Sequence, residues 1–264
     1  MLLAHDLLGS SRERVVVFAH GILGSRNNWR SFARRMIEQR PTWSALLVDL
    51  RNHGESHGLA GPHTIEACAR DVAEVLATIP HHALTLVGHS FGGKVVLELA
   101  SHVSAETWVL DSPPGPRVFG NHEIDRVLAA VYAVPLPLAT RQALLPILRA
   151  SGLSEPLAQW MTTNLRPAAE GSGLVWKMAL ETIPEMLESF AATDLWPFVM
   201  GRSSNVPRIV TVRGGKSDRW SEAELKRIAE AVRAGVLDDH VLAEAGHWVH
   251  TDSPEELMRL VLSP

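Results

Sequence analysis

The junction Gly88-His89-Ser90-Phe91-Gly92-Gly93 constrains the fold of this chain more than any other stretch. It follows the short apolar run Leu84-Thr85-Leu86-Val87 and opens the helical-period segment Lys94-Val95-Val96-Leu97-Glu98-Leu99-Ala100. A G-x-S-x-G pattern in that context is a sharp strand–turn–helix elbow with the serine at its apex. Strand and helix then approach so closely that only Gly88 and Gly92 leave room, and Gly93 relieves the first helical turn. The helix start aims unpaired N–H groups and the positive end of its dipole at Ser90. An incidental serine in a glycine-rich turn would require neither the strand before it nor the helix after it.

Around this elbow, short apolar runs alternate with longer segments of helical period, the signature of a parallel sheet built from βα units. Residues 15–19 form the first clear strand, apolar throughout and so buried on both faces. The periodicity then predicts a helix over 29–39, a strand over 43–50, a helix over 64–79, a strand over 84–87, a helix over 91–102 and a strand over 106–110. Beyond residue 112 the alternation stops. Up to residue 205 only helical stretches are legible, at 122–133, 140–150, 155–164 and 185–192. The rhythm returns with a strand at 208–213, a helix at 222–234, a strand at 236–242 and a helix at 254–262. The expectation is an α/β protein with a doubly wound, mostly parallel sheet. Residues 1–111 and 206–264 form its core domain, and 112–205 form an inserted helical cap, or lid.

Composition narrows the function classes. With 264 residues, 46% apolar, the chain suits one large α/β core. A net charge of −4 gives no general attraction to nucleic acid or to an anionic membrane. The single cysteine, Cys68, rules out an internal disulfide and a cysteine-rich zinc site. The first fourteen residues lack a basic region ahead of an apolar run, and no stretch of about eighteen apolar residues follows. A cytoplasmic protein without membrane insertion is expected, as monomer or homodimer. No spacing of His and carboxylates suits a metal, and no G-x-G-x-x-G or Walker pattern occurs, so no cofactor is expected.

A serine is a weak nucleophile at neutral pH and needs a base. Thirteen histidines compete. His247, in Glu244-Ala245-Gly246-His247-Trp248, lies past the last strand and before the last helix, where the serine–acid–histidine order places the base. His250 is its rival. His20 and His89 sit inside glycine loops and are read as holding them, while His53, His57 and His63 fall in a polar loop. The oxyanion needs two N–H donors, one from the residue after the nucleophile and one from the loop after an earlier strand. Phe91 supplies the first. His20-Gly21-Ile22-Leu23-Gly24 supplies the second through Ile22, with Leu23 the alternative.

Taken together, His20-Gly-Ile-Leu-Gly-Ser-Arg-Asn-Asn-Trp29, Asp49-Leu-Arg-Asn-His-Gly-Glu-Ser56, Gly88-His-Ser-Phe-Gly-Gly-Lys94 and Ala245-Gly-His-Trp-Val-His250 resemble the α/β-hydrolase superfamily over essentially the whole chain. The detail is most similar to YbfF-type bacterial esterases and thioesterases and their eukaryotic ABHD-type relatives. That resemblance implies a Ser–His–acid hydrolase of acyl esters or thioesters, with a helical cap between the sixth and seventh strands. For the acid, the wider superfamily points to the turn after the seventh strand, here Asp218. The closer branch points to the end of the sixth strand, here Asp111, with a serine, here Ser217, standing where the acid would otherwise be. Asp111 is favoured, and Asp218 is the alternative.

The same machinery also runs carbon–carbon bond hydrolysis and lactone opening, and some relatives only bind ligands, so fold alone leaves these open. Haloalkane dehalogenation is disfavoured because its nucleophile is an aspartate. Lesser features read as structural. Asn27-Asn28-Trp29 suits a helix cap with a packing tryptophan, Lys94 suits a structural role, and Asp49–Gly54 suits a scaffold loop. Trp160, Trp176, Trp196, Met161, Met178 and Met186 suit core more than acyl pocket.

Overall fold

The computed structural model describes residues 1–117, 123–169, 171–203 and 206–263. Its strands are β1 (His5–Leu8), β2 (Arg14–Ala19), β3 (Trp43–Val48), β4 (Ala83–His89), β5 (Glu106–Leu110), β6 (Leu165–Pro167), β7 (Leu174–Trp176), β8 (Ile209–Gly214) and β9 (Asp238–Leu242). Seven of them make one sheet in the order β1-β3-β2-β4-β5-β8-β9. β1 runs antiparallel to β3, and every other pairing in that sheet is parallel. The strand that the resemblance counts as sixth is β5, the fifth in this chain.

Along β2 the side chains alternate between two apolar layers. Val15, Val17 and Ala19 join one, and Val16 and Phe18 join the other, all fully buried. Burial on both faces is why the run is apolar throughout instead of alternating. The first layer is closed by α2 (Ile65–Leu76) and α3 (Phe91–Ala100). The second is closed by α1 (Arg30–Gln39), the short α10 (Val249–Asp252) and α11 (Pro254–Leu262). Thr64 caps α2, its hydroxyl accepting from the Ala67 N–H at 3.2 Å. Between β5 and β8 come α4 (Glu123–Tyr132), α5 (Leu144–Ala150), α6 (Glu155–Thr162), α7 (Ile183–Ala192) and α8 (Trp196–Met200). The apolar faces of α4 to α7 join the first layer. A third cluster packs α8 and α9 (Glu222–Arg233) against β5 and β8.

Two expectations need correction. No strand was expected within 112–205, yet β6 and β7 pair there as a separate two-stranded sheet. Each is three residues long, and Pro167 ends the first, so neither shows a period. β1 was not anticipated either. It is a four-residue edge strand whose Leu7 stays 44% exposed, too short and too wet to read as core. Residue 122, the expected start of the first cap helix, and residue 205, the expected end of the cap, lie outside the described residues. Among the described residues, no helix is long and apolar enough to cross a membrane.

The elbow depends on its glycines. A Cβ on Gly88 would lie 2.1 Å from the Gly92 carbonyl oxygen, and one on Gly92 would lie 2.5 Å from that of His20. Backbone, unlike a flexible side chain, cannot yield at such distances. Gly88→Ala is therefore expected to lower unfolding stability by about 2–4 kcal/mol, measured by urea denaturation. A change below about 0.5 kcal/mol would show that strand and helix separate freely.

Candidate active site

Ser90 sits between β4 and α3 with φ +52° and ψ −117°, a left-handed backbone that a non-glycine residue adopts only when its surroundings enforce it. The enforcement is visible: the Ser90 N–H donates to the Leu110 carbonyl at 2.9 Å, and the Gly93 N–H donates to that of Ser90 at 2.8 Å. Asp111, just past β5, has φ +47° and lies 1% exposed. Two of the four positive-φ residues other than glycine among the described residues are therefore Ser90 and Asp111.

His247 links them. Its Nε2 lies 3.0 Å from Ser90 Oγ, and its Nδ1 lies 2.7 Å from Asp111 Oδ2. A carboxylate only accepts, so Nδ1 carries the proton and Nε2 is left to accept from the Ser90 hydroxyl. Burial drives the Asp111 carboxyl upward. The His247 hydrogen bond and charge, with the Ser217 and Trp220 hydrogen bonds, outweigh it and hold Asp111 below the ordinary carboxylate range. Ser217 Oγ donates to Oδ2 at 2.5 Å, Trp220 Nε1 donates to Oδ1 at 2.9 Å, and the Gly214 N–H donates to Oδ1 at 3.1 Å. Asp218 is elsewhere: its side chain is 67% exposed and 3.4 Å from Arg219 Nε.

The loop after β2 presents Ile22. The Leu23 N–H is already engaged, donating to His53 Nε2 at 3.1 Å. Among the described residues the Ile22 N–H has no acceptor, and the Phe91 N–H, first in α3, has no intrahelical one. Buried neutral histidines hold this geometry. His20 accepts from the Leu50 N–H at 3.0 Å and donates through Nδ1 to the Gly21 carbonyl at 2.8 Å. His53 donates through Nδ1 to the Arg51 carbonyl at 2.9 Å, and His89 donates through Nε2 to the His247 carbonyl at 2.8 Å. His250 packs on Trp29 and His89 with ring centroids 4.5 and 4.7 Å apart, and the ring nitrogen at Ser90 Oγ is that of His247. Asp49 ties the scaffold loop by accepting from the Arg26 N–H at 2.6 Å and the Glu55 N–H at 2.9 Å. Asn28 Oδ1 accepts from the Ser25 N–H at 2.8 Å, a helix-capping contact.

The cavity over Ser90 is lined by Ile124, Val127, Leu157, Trp160, Leu187 and Phe190 from the segment between β5 and β8, and by Trp248 and the Gly21–Leu23 loop. Of the aromatic and methionine candidates only Trp160 reaches it. Trp176, Trp196 and all three methionines are core. Lys94 is buried, its Nζ donating to the carbonyls of Gly115, Phe190 and Thr193 at 2.7, 2.6 and 2.8 Å. It ties the segment between β5 and β8 to the elbow helix. Sequence reasoning missed Trp220, Arg117 and Arg219, which carry no spacing signal because they meet only through the fold.

The histidines imply an acid limit. Burial lowers His20 to about 4 and His53 to about 3, and it takes His89 well below 6.5. These groups stay neutral when folded but bind protons near pH 6.5 when unfolded, so the unfolded state takes up more protons as pH falls. Their contribution is complete above about pH 6.5 and lost progressively toward pH 4. Stability at pH 5 is expected to fall below that at pH 7 by on the order of 2 kcal/mol per histidine. Urea titrations at both values check this, and equal stability would mean these histidines are not held neutral.

The alpha/beta hydrolase family profile matches residues 16–260. The chain is 30% identical over 282 residues to mouse sn-1-specific diacylglycerol lipase ABHD11, covering 99% of this chain and 84% of that one. It is 28% identical over 261 residues to esterase YbfF of Escherichia coli K12, covering 93% and 91%. Among solved structures, a marine microorganism esterase superposes with a TM-score of 0.82 at 21% identity, covering 99% and 98%. On the family profile and the sequence identities together, the chain belongs to the alpha/beta hydrolase family.

Proposed function

We propose that Ser90 is the nucleophile of a carboxylic-ester hydrolase that works through an acyl-enzyme, with His247 as general base and acid and Asp111 as its partner. The observation that carries this is the unbroken relay from Asp111 Oδ2 through His247 to Ser90 Oγ, at 2.7 and 3.0 Å. Ser90 Oγ attacks the acyl carbon as His247 Nε2 takes its proton, and Asp111 stabilises the imidazolium that forms. The developing oxyanion accepts from the Ile22 and Phe91 N–H groups. His247 then protonates the leaving alcohol, and the acyl group stays on Ser90. A water that gives its proton to His247 attacks next, and the carboxylic acid leaves as Ser90 recovers its proton. A thioester follows the same steps with a thiol as leaving group.

The chain is an EC 3.1 hydrolase, as its relatives named esterase and diacylglycerol lipase are. Residues 112–205 act as a cap domain on the core of 1–111 and 206–264 and select the acyl group. Support comes from the six cap side chains over Ser90. The test is turnover of p-nitrophenyl esters of graded chain length by the wild-type chain and by His247→Ala. Multiple turnovers, lost by at least about 100-fold in the variant, are expected. Binding of esters without turnover would make the chain a ligand-binding protein instead.

A further inference from the structure

Leu23 and Asn52 are the other two residues besides glycine with positive φ among the described residues, at +63° and +58°. Each is held by the segment between β5 and β8. The Leu23 carbonyl accepts from Asn164 Nδ2 at 2.8 Å, and the Asn52 carbonyl accepts from the Ala179 N–H at 2.9 Å. Asn164 directly precedes β6, and Ala179 lies shortly past β7. The Lys177 N–H closes the base of that hairpin by donating to the Asn164 carbonyl at 2.7 Å. His53, next to Asn52, accepts from the Leu23 N–H at 3.1 Å, so the hairpin base and both loops form one hydrogen-bonded ring. Leu23 is the third residue of the turn Gly21-Ile22-Leu23-Gly24, closed by the Gly24 N–H on the Gly21 carbonyl at 3.0 Å. A positive φ at that place belongs to a type II turn and normally falls to glycine or asparagine. A leucine there is strained and stays only where its surroundings hold it. The residue type at position 164 agrees. Asn164 is fully buried, and its Oδ1 meets no hydrogen-bond partner among the described residues. An amide with one end unpaired is costly to bury, and an apolar side chain of that size escapes the cost. What only the amide supplies is the donor to Leu23.

We propose that Asn164 is a positioning residue of the oxyanion hole: it latches Leu23 in its left-handed conformation and so keeps the Ile22 N–H aimed at the oxyanion. This rests on the reading of Ser90 as an ester-hydrolase nucleophile with Ile22 as an oxyanion donor. The segment between β5 and β8 thereby completes the hole as well as lining the cavity. Once Asn164 lets go, Leu23 relaxes toward negative φ, the peptide planes of the turn rotate, and the Ile22 N–H leaves its place. His53 cannot substitute, because its bond holds the N–H side of Leu23 only. The loss falls on the tetrahedral oxyanion, where charge develops, and spares binding of the uncharged ester.

The test follows N164L through kcat and KM on p-nitrophenyl butyrate and through two inhibitors of matched shape, butyl trifluoromethyl ketone and the corresponding secondary alcohol. With the ketone, Ser90 Oγ adds to the carbonyl carbon, its proton passes to His247 Nε2, and the carbonyl oxygen becomes an oxyanion. The alcohol fills the same cavity without that charge. In N164L, kcat is expected to fall by at least about tenfold, with KM within about threefold of wild type. The ketone Ki is expected to rise by at least about tenfold, and the alcohol Ki by less than about threefold. In an L23G background the same substitution is expected to cost less than about threefold in kcat, since glycine adopts positive φ without a latch. Should thermal unfolding show that N164L does not fold, N164S, whose hydroxyl stops one bond short, is measured in its place. A folded variant with unchanged kcat, a rise in KM alone, equal weakening of ketone and alcohol, or an undiminished cost in L23G overturns the latch and leaves the hydrolase reading standing. A wild type that neither turns over esters nor forms the hemiketal, followed by fluorine NMR, overturns that reading and the latch with it.

Discussion

Replacing Ser90 with alanine is expected to lower kcat by at least about 10³-fold while leaving the fold intact. The variant loses the only atom proposed to form the acyl bond. What remains is substrate binding and the oxyanion donors, which account for a small residual rate in serine hydrolases. Stability is expected to hold because the Ser90 side chain contacts His247 at 3.0 Å, while the elbow is fixed by backbone bonds that alanine keeps. Steady-state kinetics with thermal unfolding separate the two effects. A variant that keeps a tenth of the rate would remove Ser90 from the chemistry.

Asp111→Asn is expected to cost about 10²–10³ in kcat, against less than about threefold for Asp218→Asn. An amide at position 111 can donate as well as accept, so it no longer fixes which His247 nitrogen holds the proton and no longer balances the imidazolium. Loss of the equivalent group costs on the order of 10⁴ in a serine protease. The smaller figure here reflects Ser217, whose Oγ lies 2.5 Å from the same carboxylate oxygen and remains beside His247. Asp218, 67% exposed and facing Arg219, has no such role to lose. A larger loss from Asp218→Asn than from Asp111→Asn would reverse the assignment of the acid.

How much of this was legible in the sequence follows from which signals are local. Strands β2, β4 and β5 are buried on both faces, so their apolar runs stand out, and the Ser90 elbow is written within six consecutive residues. His247 was found by its place after the last strand. The choice between Asp111 and Asp218 was not decidable from spacing, because both follow strand ends. It turns on the left-handed backbone at Asp111 and on three donors, from Gly214, Ser217 and Trp220, that converge over a separation of more than 100 residues. Short β1, β6 and β7 lack the length to show a period. The cavity wall was illegible for a different reason: Arg117 and Arg219 come from separate connections and meet only when β5 and β8 lie side by side.

The central claim is that Ser90 attacks with His247 as its base, and active-site labelling tests it most directly. Wild-type protein is treated with a fluorophosphonate, digested, and mapped by mass spectrometry, in parallel with His247→Ala. One adduct per chain is expected, on the peptide that carries Ser90, formed at least about 100-fold more slowly in His247→Ala. An adduct on another residue, or none from a preparation that still turns over esters, would contradict it.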